Sequence, residues 1–353
     1  MMKQAAIQPV RFLLLWVAVL GLVAVTGGPI PVSAGEPEEL VTTVFGGTLE
    51  KAWRANVIQP FEKQHNVRVR VVTGLSVENL AKLRAQKDNP QIDVFMFDTP
   101  IALIGAKEGL LETLDPERIP NLRDLHDFAM DSTRQHVAVY TVSVFLGYNT
   151  QYVKEKPTSW ADLWKPEYKG KVLVPYISQI TGAYFIAILG HAFGKGVFDA
   201  DTAFARLKSL RPNILTFPTS HDQTAQLMNQ GEGWMQPWSN DRIATQVKAG
   251  APIGMAIPKE GSVFATGAMG IAKGTKRKAL AEKYVNFTIG EAAQAANAES
   301  IFLAPVNKKV QLTSEAAQFV PYGDVLKRLF VIDWDEFTKH RDQWVDRWNR
   351  EIK

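Results

Sequence analysis

"VTTVFGGTLEKAW", Val41 to Trp53, joins a short apolar run to a helix-like stretch through Gly46-Gly47. Widening the window gives "LVTTVF" as a strand, "TLEKAWRANVIQPFEKQ" as an amphipathic helix and "VRVRVV" as a strand of strict alternation. "SVENLAKLRAQKD" reads as a second helix, with Ser76 and Asn79 near its start. "IDVFMF" reads as an apolar strand of the buried, parallel kind. Strand, helix, strand, helix, strand is the order of a doubly wound α/β lobe.

The same order returns downstream. "VAVYTVSVFLGYNT" (Val137 to Thr150) is long enough to leave one lobe and enter another. "KVLVPY", a helix from about Ser178 to Gly190, "NILTF", another helix and "EGWMQPW" then form a second series. "GMAIPKEGSVFATGAMGIA" is extended again and long enough to return. Helices are expected from Lys278 to Asn297 and from Thr313 to Lys353. The expected fold class is α/β, with two doubly wound lobes joined by extended hinge strands. Lobe one is assigned to 38–140 and 265–305, lobe two to 141–264 and 306–353. Such lobes close over a ligand by hinge bending, and ligands sit at the carboxyl ends of the strands.

Composition narrows the function. A chain of 353 residues exceeds what one small core organises. The formal charge of +4 is spread without a basic tail, which argues against nucleic acid. Lys3 and Arg11, the apolar run Phe12 to Val25 and the small-residue site Val32-Ser33-Ala34 have the order of a secretory signal peptide, residues 1–34. The run is too short to span a bilayer. The chain has no cysteine, so a lipidated N-terminus, a disulfide scaffold and a thiolate metal site are all excluded. A periplasmic protein that relies on its own core is expected, with no cofactor and no metal.

Catalytic motifs do not emerge. HExxH, GxSxG and GxGxxG are absent. "GHAFGKG" (Gly190 to Gly196) approximates a P-loop, but its spacing is one residue short and no Ser or Thr follows Lys195. A helix end and turn explains it better. The six histidines, His65, His126, His136, His191, His221 and His340, lack metal-ligand spacing.

Binding chemistry is better represented. Gly46, Gly47 and Thr48 place backbone N–H groups and a hydroxyl at a helix start, where an anion is favoured. Ser178, Thr181 and Gly182 repeat this in the second lobe. Ordinary capping would use the same residue types. "WMQPWSND" (Trp234 to Asp241) sets two indoles beside Ser239, Asn240 and Asp241. Aromatic walls with a few polar groups suit a small-ligand cleft. Trp238 is expected at the cleft and Trp234 in a core strand, as are Phe128 and Tyr140.

"PTSWADLWKPEYKGKV" (Pro157 to Val172) strongly resembles the segment that opens the second lobe in family 1 extracellular solute-binding proteins of ABC transporters, in the spermidine/putrescine-binding branch. The likeness continues in "IDVFMFDTPIALIGAKEGLLETLD" and in "AGAPIGMAIPKEGSVFATGAMGIAKGTKRKALAEKYVNF", and covers nearly all of the chain after the leader. It implies the two-lobed periplasmic binding protein fold (type II), a monomer, a solute held between the lobes and delivery to an ABC permease in the membrane. Gly46-Gly47 then becomes the first ligand-facing loop of lobe one. The polyamine cage of the family is largely missing: its acidic positions fall at about Ile177 and Gly267, a tryptophan falls at Ala265, and its Ser-Thr-Tyr loop reads Asp98-Thr99-Pro100. Asp98 and Asp241 remain as candidate amine partners. The paired tyrosines of ferric-ion binders are absent.

Three functional classes follow. The favoured one is the substrate-binding component of an ABC importer for a small organic solute, anionic or zwitterionic in preference to a polyamine. A secreted enzyme on the same fold would need a catalytic group in the cleft. A ligand-sensing partner of a membrane receptor is compatible with transport. Closure is expected to bring Ser178, Thr181, Gly182, Trp238, Ser239 and Asn240 onto a ligand held by Gly46, Gly47, Asp98 and Thr99.

Overall fold

The computed structural model describes residues 37–352. The expected signal peptide and its cleavage point lie outside them. The first lobe opens with β1 (Glu39–Val44), α1 (Thr48–Trp53), α2 (Gln59–His65), β2 (Arg68–Thr73), α3 (Ser76–Ala85), β3 (Val94–Asp98) and α4 (Thr99–Lys107). The helix read as continuous from Thr48 widens into a π turn over Arg54–Ile58 before α2. Pro60 has no N–H to return to Asn56, and its ring crowds that carbonyl, so the ladder loosens there. Alternation sorts β3 between two cores. Val94 and Met96 join Trp53, Val57 and Phe61 on one face; Phe95 and Phe97 join Leu80, Leu83 and Ala102 on the other.

A long strand, β4 (Val137–Asn149), then crosses to the second lobe. That lobe contains β5 (Val172–Leu173), α5 (Ile180–Phe193), α6 (Ala200–Ser209), β6 (Ile214–Thr216), α7 (His221–Asn229), β7 (Met235–Ser239), α8 (Asn240–Lys248) and β8 (Ile253–Ala256). The extended stretch read from Gly254 to Ala272 divides at Gly261, whose φ is 84°. A Cβ at Gly261 would run into the Arg328 carbonyl, so only glycine allows this turn. β9 (Ser262–Ile271) returns to the first lobe, followed by α9 (Lys278–Thr288) and α10 (Glu291–Ile301).

The C-terminal region departs from the expected helical run. Residues 313–333 carry 3-10 turns at Ala316–Gln318 and Gly323–Arg328 and the short β10 (Leu329–Phe330); only α11 (Trp334–Glu351) is α-helical. Pro321 and Gly323, at φ 59°, break the helix pattern. α11 buries Trp334, Phe337, Trp344 and Trp348 in the second-lobe core.

The strand order is β2-β1-β3-β9-β4-β7-β5-β6, with β8 beside β4 and β10 beside β9. β1, β2 and β3 run parallel, as do β5, β6 and β7. β9 is antiparallel to β3, and β4 is antiparallel to β7. Both parallel sets therefore point their carboxyl ends toward the crossing strands, and toward each other. A third crossing runs alongside, where Ala304 pairs with Thr141 of β4.

Two buried amides fasten these crossings. Asn240 accepts from the Ser143 N–H at 2.8 Å and donates to the Phe302 and Phe319 carbonyls, both at 2.9 Å. Gln294 donates to the Val139 and Thr288 carbonyls and accepts from the Val306 N–H. Each amide has partners for its donors and its acceptor, so each rigidifies the chain without stranding a polar atom.

Candidate functional site

Register fixes the floor of the cleft. Asp98, the last residue of β3, pairs with Gly267 of β9, and Gly267 pairs with Tyr140 of β4. Directly paired residues share a face, so the three side-chain positions form a row across the hinge. Four residues further along β4, Val144 pairs with Ser239, the last residue of β7. At about 3.3 Å per residue the two carboxyl ends lie roughly 13 Å apart along β4, a distance that suits a small solute.

Asp98 keeps an exposed surface, yet burial in the surrounding protein raises its carboxyl above the usual range. The two observations agree when the carboxylate opens onto a cleft and not onto bulk solvent. Ser76 opposes the rise: its Oγ donates to Asp98 Oδ2 at 2.8 Å and accepts from the Asp98 N–H at 2.8 Å. Asp98 also precedes α4, whose start has no side-chain cap.

Gly267 is the second decisive position. A Cβ there would stand inside van der Waals contact of the Tyr140 ring. The ring occupies that space and is braced edge-on by Trp53, with centroids 6.3 Å apart. Burial pushes the Tyr140 hydroxyl well above its ordinary range, and Asp98, Asp241 and Tyr184 push the same way. The Tyr184 hydroxyl of α5 is likewise raised by burial and then by Asp98. Both phenols therefore stay protonated as hydrogen-bond donors beside carboxylates. Tyr140 is buried in the first-lobe core, as expected, and Tyr184 in the second-lobe core; with Ser76 they join the candidate site through their nearness to Asp98. Tyr140 lies in a strand whose other aromatics are core, and only the cross-strand register reveals its neighbours.

The other candidates separate. Gly46, Gly47 and Thr48 are exposed, and no atom stands near a Cβ built at either glycine. Gly47 has φ 76° and starts α1 without a side-chain cap. Ser178 is exposed ahead of α5, which also starts uncapped, and Thr181 is buried. Gly182 serves packing: a Cβ there would strike the Tyr176 and Pro175 carbonyls of its own entry loop. Asp241 is half-buried beside Arg242, 3.4 Å away.

Five residues stand elsewhere than expected. Trp238 is 1% exposed and packs with Phe145, Leu173, Met228 and Ile243, its indole N–H donating to His221 Nδ1 at 3.0 Å. It is a core residue because every position of β7 is covered. Trp234, just before the strand, is the partly exposed indole, stacked on Tyr152 at 5.0 Å. Ser239 and Asn240 are also buried, and Asn240 spends its amide on the crossings. Thr99 turns its hydroxyl to Thr266, away from the Asp98 row.

Residues 56–320 match the model of the bacterial extracellular solute-binding proteins. The chain belongs to that family. It is 28% identical over 316 residues to spermidine/putrescine-binding periplasmic protein 1 of Haemophilus influenzae, covering 84% of this chain and 85% of the relative. It is also 28% identical over 334 residues to a gamma-aminobutyric acid-binding protein of Pseudomonas aeruginosa, covering 89% and 91%. Among solved structures, an ABC transporter protein of Clostridium perfringens superposes with TM-score 0.77 at 28% identity, covering 89% of this chain and all of that one. A putative extracellular solute-binding protein of Bordetella parapertussis gives 0.83 at 24% identity, covering 90% and 99%. The two-lobed fold of the periplasmic binding proteins is thus the fold of this chain.

Proposed function

We propose that this protein is the periplasmic substrate-binding component of an ABC importer, acting as a monomer and capturing a small solute that carries an amine and an acidic or polar end. It hands the solute to a membrane permease and does not transform it. The observation that carries the reading is the Asp98–Gly267–Tyr140 row on the cleft floor. Asp98 offers a carboxylate to an ammonium group, with Asp241 as the second-lobe carboxylate. The neutral phenols of Tyr140 and Tyr184, with the uncapped starts of α1 and α5, offer donors to the other end. The named relatives that bind a polyamine and an amino acid both take amines, which supports this choice. Contacts from both lobes supply the differential affinity that favours closure.

Polyamine binding is the competing reading. The Tyr140 ring over Gly267 weighs against it, because it removes the space for a second charged group at the hinge. Isothermal titration of residues 35–353 with 4-aminobutyrate, putrescine, spermidine and 2-aminoethylphosphonate separates the two. Binding of an amino acid or aminophosphonate with weak diamine binding is expected. Tight binding of putrescine or spermidine alone would replace this reading with the polyamine one.

A further inference from the structure

The hinge carries a cavity on its other side. About 260 Å³ is partly enclosed by Thr99 and Leu103 of α4, by Phe128, Met130 and His136, by Phe264 and Thr266 of β9, and by Trp334 at the start of α11. Strand alternation places Phe264, Thr266 and Ala268 opposite to Gly267, so this space lies behind the Asp98–Gly267–Tyr140 row. At about 30 Å³ per water it can take a compact organic molecule. Its wall is mainly aromatic and aliphatic. His136 is 3% exposed, and its Nδ1 has no hydrogen-bond partner in the folded chain. That nitrogen is itself closed off from the cavity, so the walls offer shape and apolar surface and not a buried hydrogen bond. Val331, 58% exposed, stands at the rim.

We infer that this cavity is a second small-molecule site, for a compact aromatic compound, and that its occupant biases lobe closure. Its walls come from the first lobe, the crossing strands and the second lobe, so their spacing depends on the angle between lobes. Two links lead to the cleft. Thr99 and Thr266, bonded to each other, directly adjoin Asp98 and Gly267 in the chain. Trp334 packs on Tyr184, ring centroids 6.0 Å apart. An occupant that fits one lobe angle better must shift the population toward it.

The probe is p-cresol, followed by saturation-transfer NMR on the mature chain. Ala138 of β4 also lines the cavity, so Ala138→Leu fills it, and Val331→Trp caps it from an exposed position where no core packing is lost. Transfer to the unaltered chain, with affinity about tenfold weaker in both variants, is the expected result. Absent transfer, or equal transfer in all three proteins, would overturn the site. Val331→Trp decides alone should Ala138→Leu fail to fold. Because the chain has no cysteine, Lys87→Cys and Glu155→Cys accept one spin label per lobe. A shift of the interlobe distance with p-cresol supports the coupling; binding without a shift overturns it. Neither readout needs the cleft solute, so the result stands apart from the proposed function.

Discussion

Asp98 combines its proposed binding role with a stability cost. Its carboxyl is raised in the folded chain, so the folded state holds the proton to higher pH than the unfolded state. Stability therefore falls as pH rises from the ordinary carboxylate range through the raised value. Asp98→Asn removes that loss. Its melting temperature at pH 7 should equal or exceed that of the unaltered chain, with the difference vanishing in acid, while amine binding disappears. A variant that melts lower and still binds would remove Asp98 from the site. Amine affinity should also decline as pH falls through the same range, because the ammonium loses its counter-charge. Trp238 predicts the opposite pattern. Trp238→Ala empties a core position and should cost about 3–5 kcal/mol in denaturant unfolding. Any loss of solute affinity should follow that loss of folded protein.

At the scale of elements, the crossing strands set both geometry and rigidity. Gly267→Ala drives a methyl group into the Tyr140 ring, and overpacking of this kind costs about 1–3 kcal/mol. Urea unfolding should show that loss, and titration should show weakened binding as Tyr140 is displaced from the floor. Gly267→Ala with unchanged affinity would show that Tyr140 does not shape the site. Asn240→Ala tests the fastening of the crossings. It strands the Ser143 N–H and two carbonyls, and each buried group left unpaired costs about 1–3 kcal/mol. Hydrogen exchange should accelerate first along β4 near Ser143; uniform exchange across the molecule would argue against a local fastening.

Over the whole molecule, long-range polar anchors hold the first lobe on its returning strand. Asp93 is fully buried and accepts from the Val41 N–H at 2.8 Å, the Thr275 hydroxyl at 2.5 Å and Arg277 Nε at 2.9 Å. These partners come from β1 and from the turn between β9 and α9, segments more than 180 residues apart in the case of Thr275 and Arg277. Arg277→Ala leaves a buried carboxylate without its counter-charge and should cost about 3–5 kcal/mol. Thermal unfolding monitored by circular dichroism measures it, and a change within about 0.5 kcal/mol, typical of surface substitutions, would mean that water replaces the guanidinium.

The sequence by itself determined the architecture. Period-two runs such as "VRVRVV" and buried runs such as "IDVFMF" declare strands, intervening amphipathic stretches declare helices, and two such series linked by long strands require two lobes. These signals are local, because each strand or helix must present its own apolar face. The sequence also marks Asp98 as a candidate, in the loop after "IDVFMF" and as one of two carboxylates left for an amine once the family's acidic positions are compared. Tertiary structure alone decided which residues lie beside Asp98. Tyr140 meets Asp98 only through Gly267, more than 120 residues further along the chain. Trp238 leaves its expected place at the cleft for the core because every position of β7 is covered, and Trp234 stacks on Tyr152 at the opposite end of that strand. A side chain's type and its neighbours in sequence fix what it can bind; register and packing fix whether it is reached.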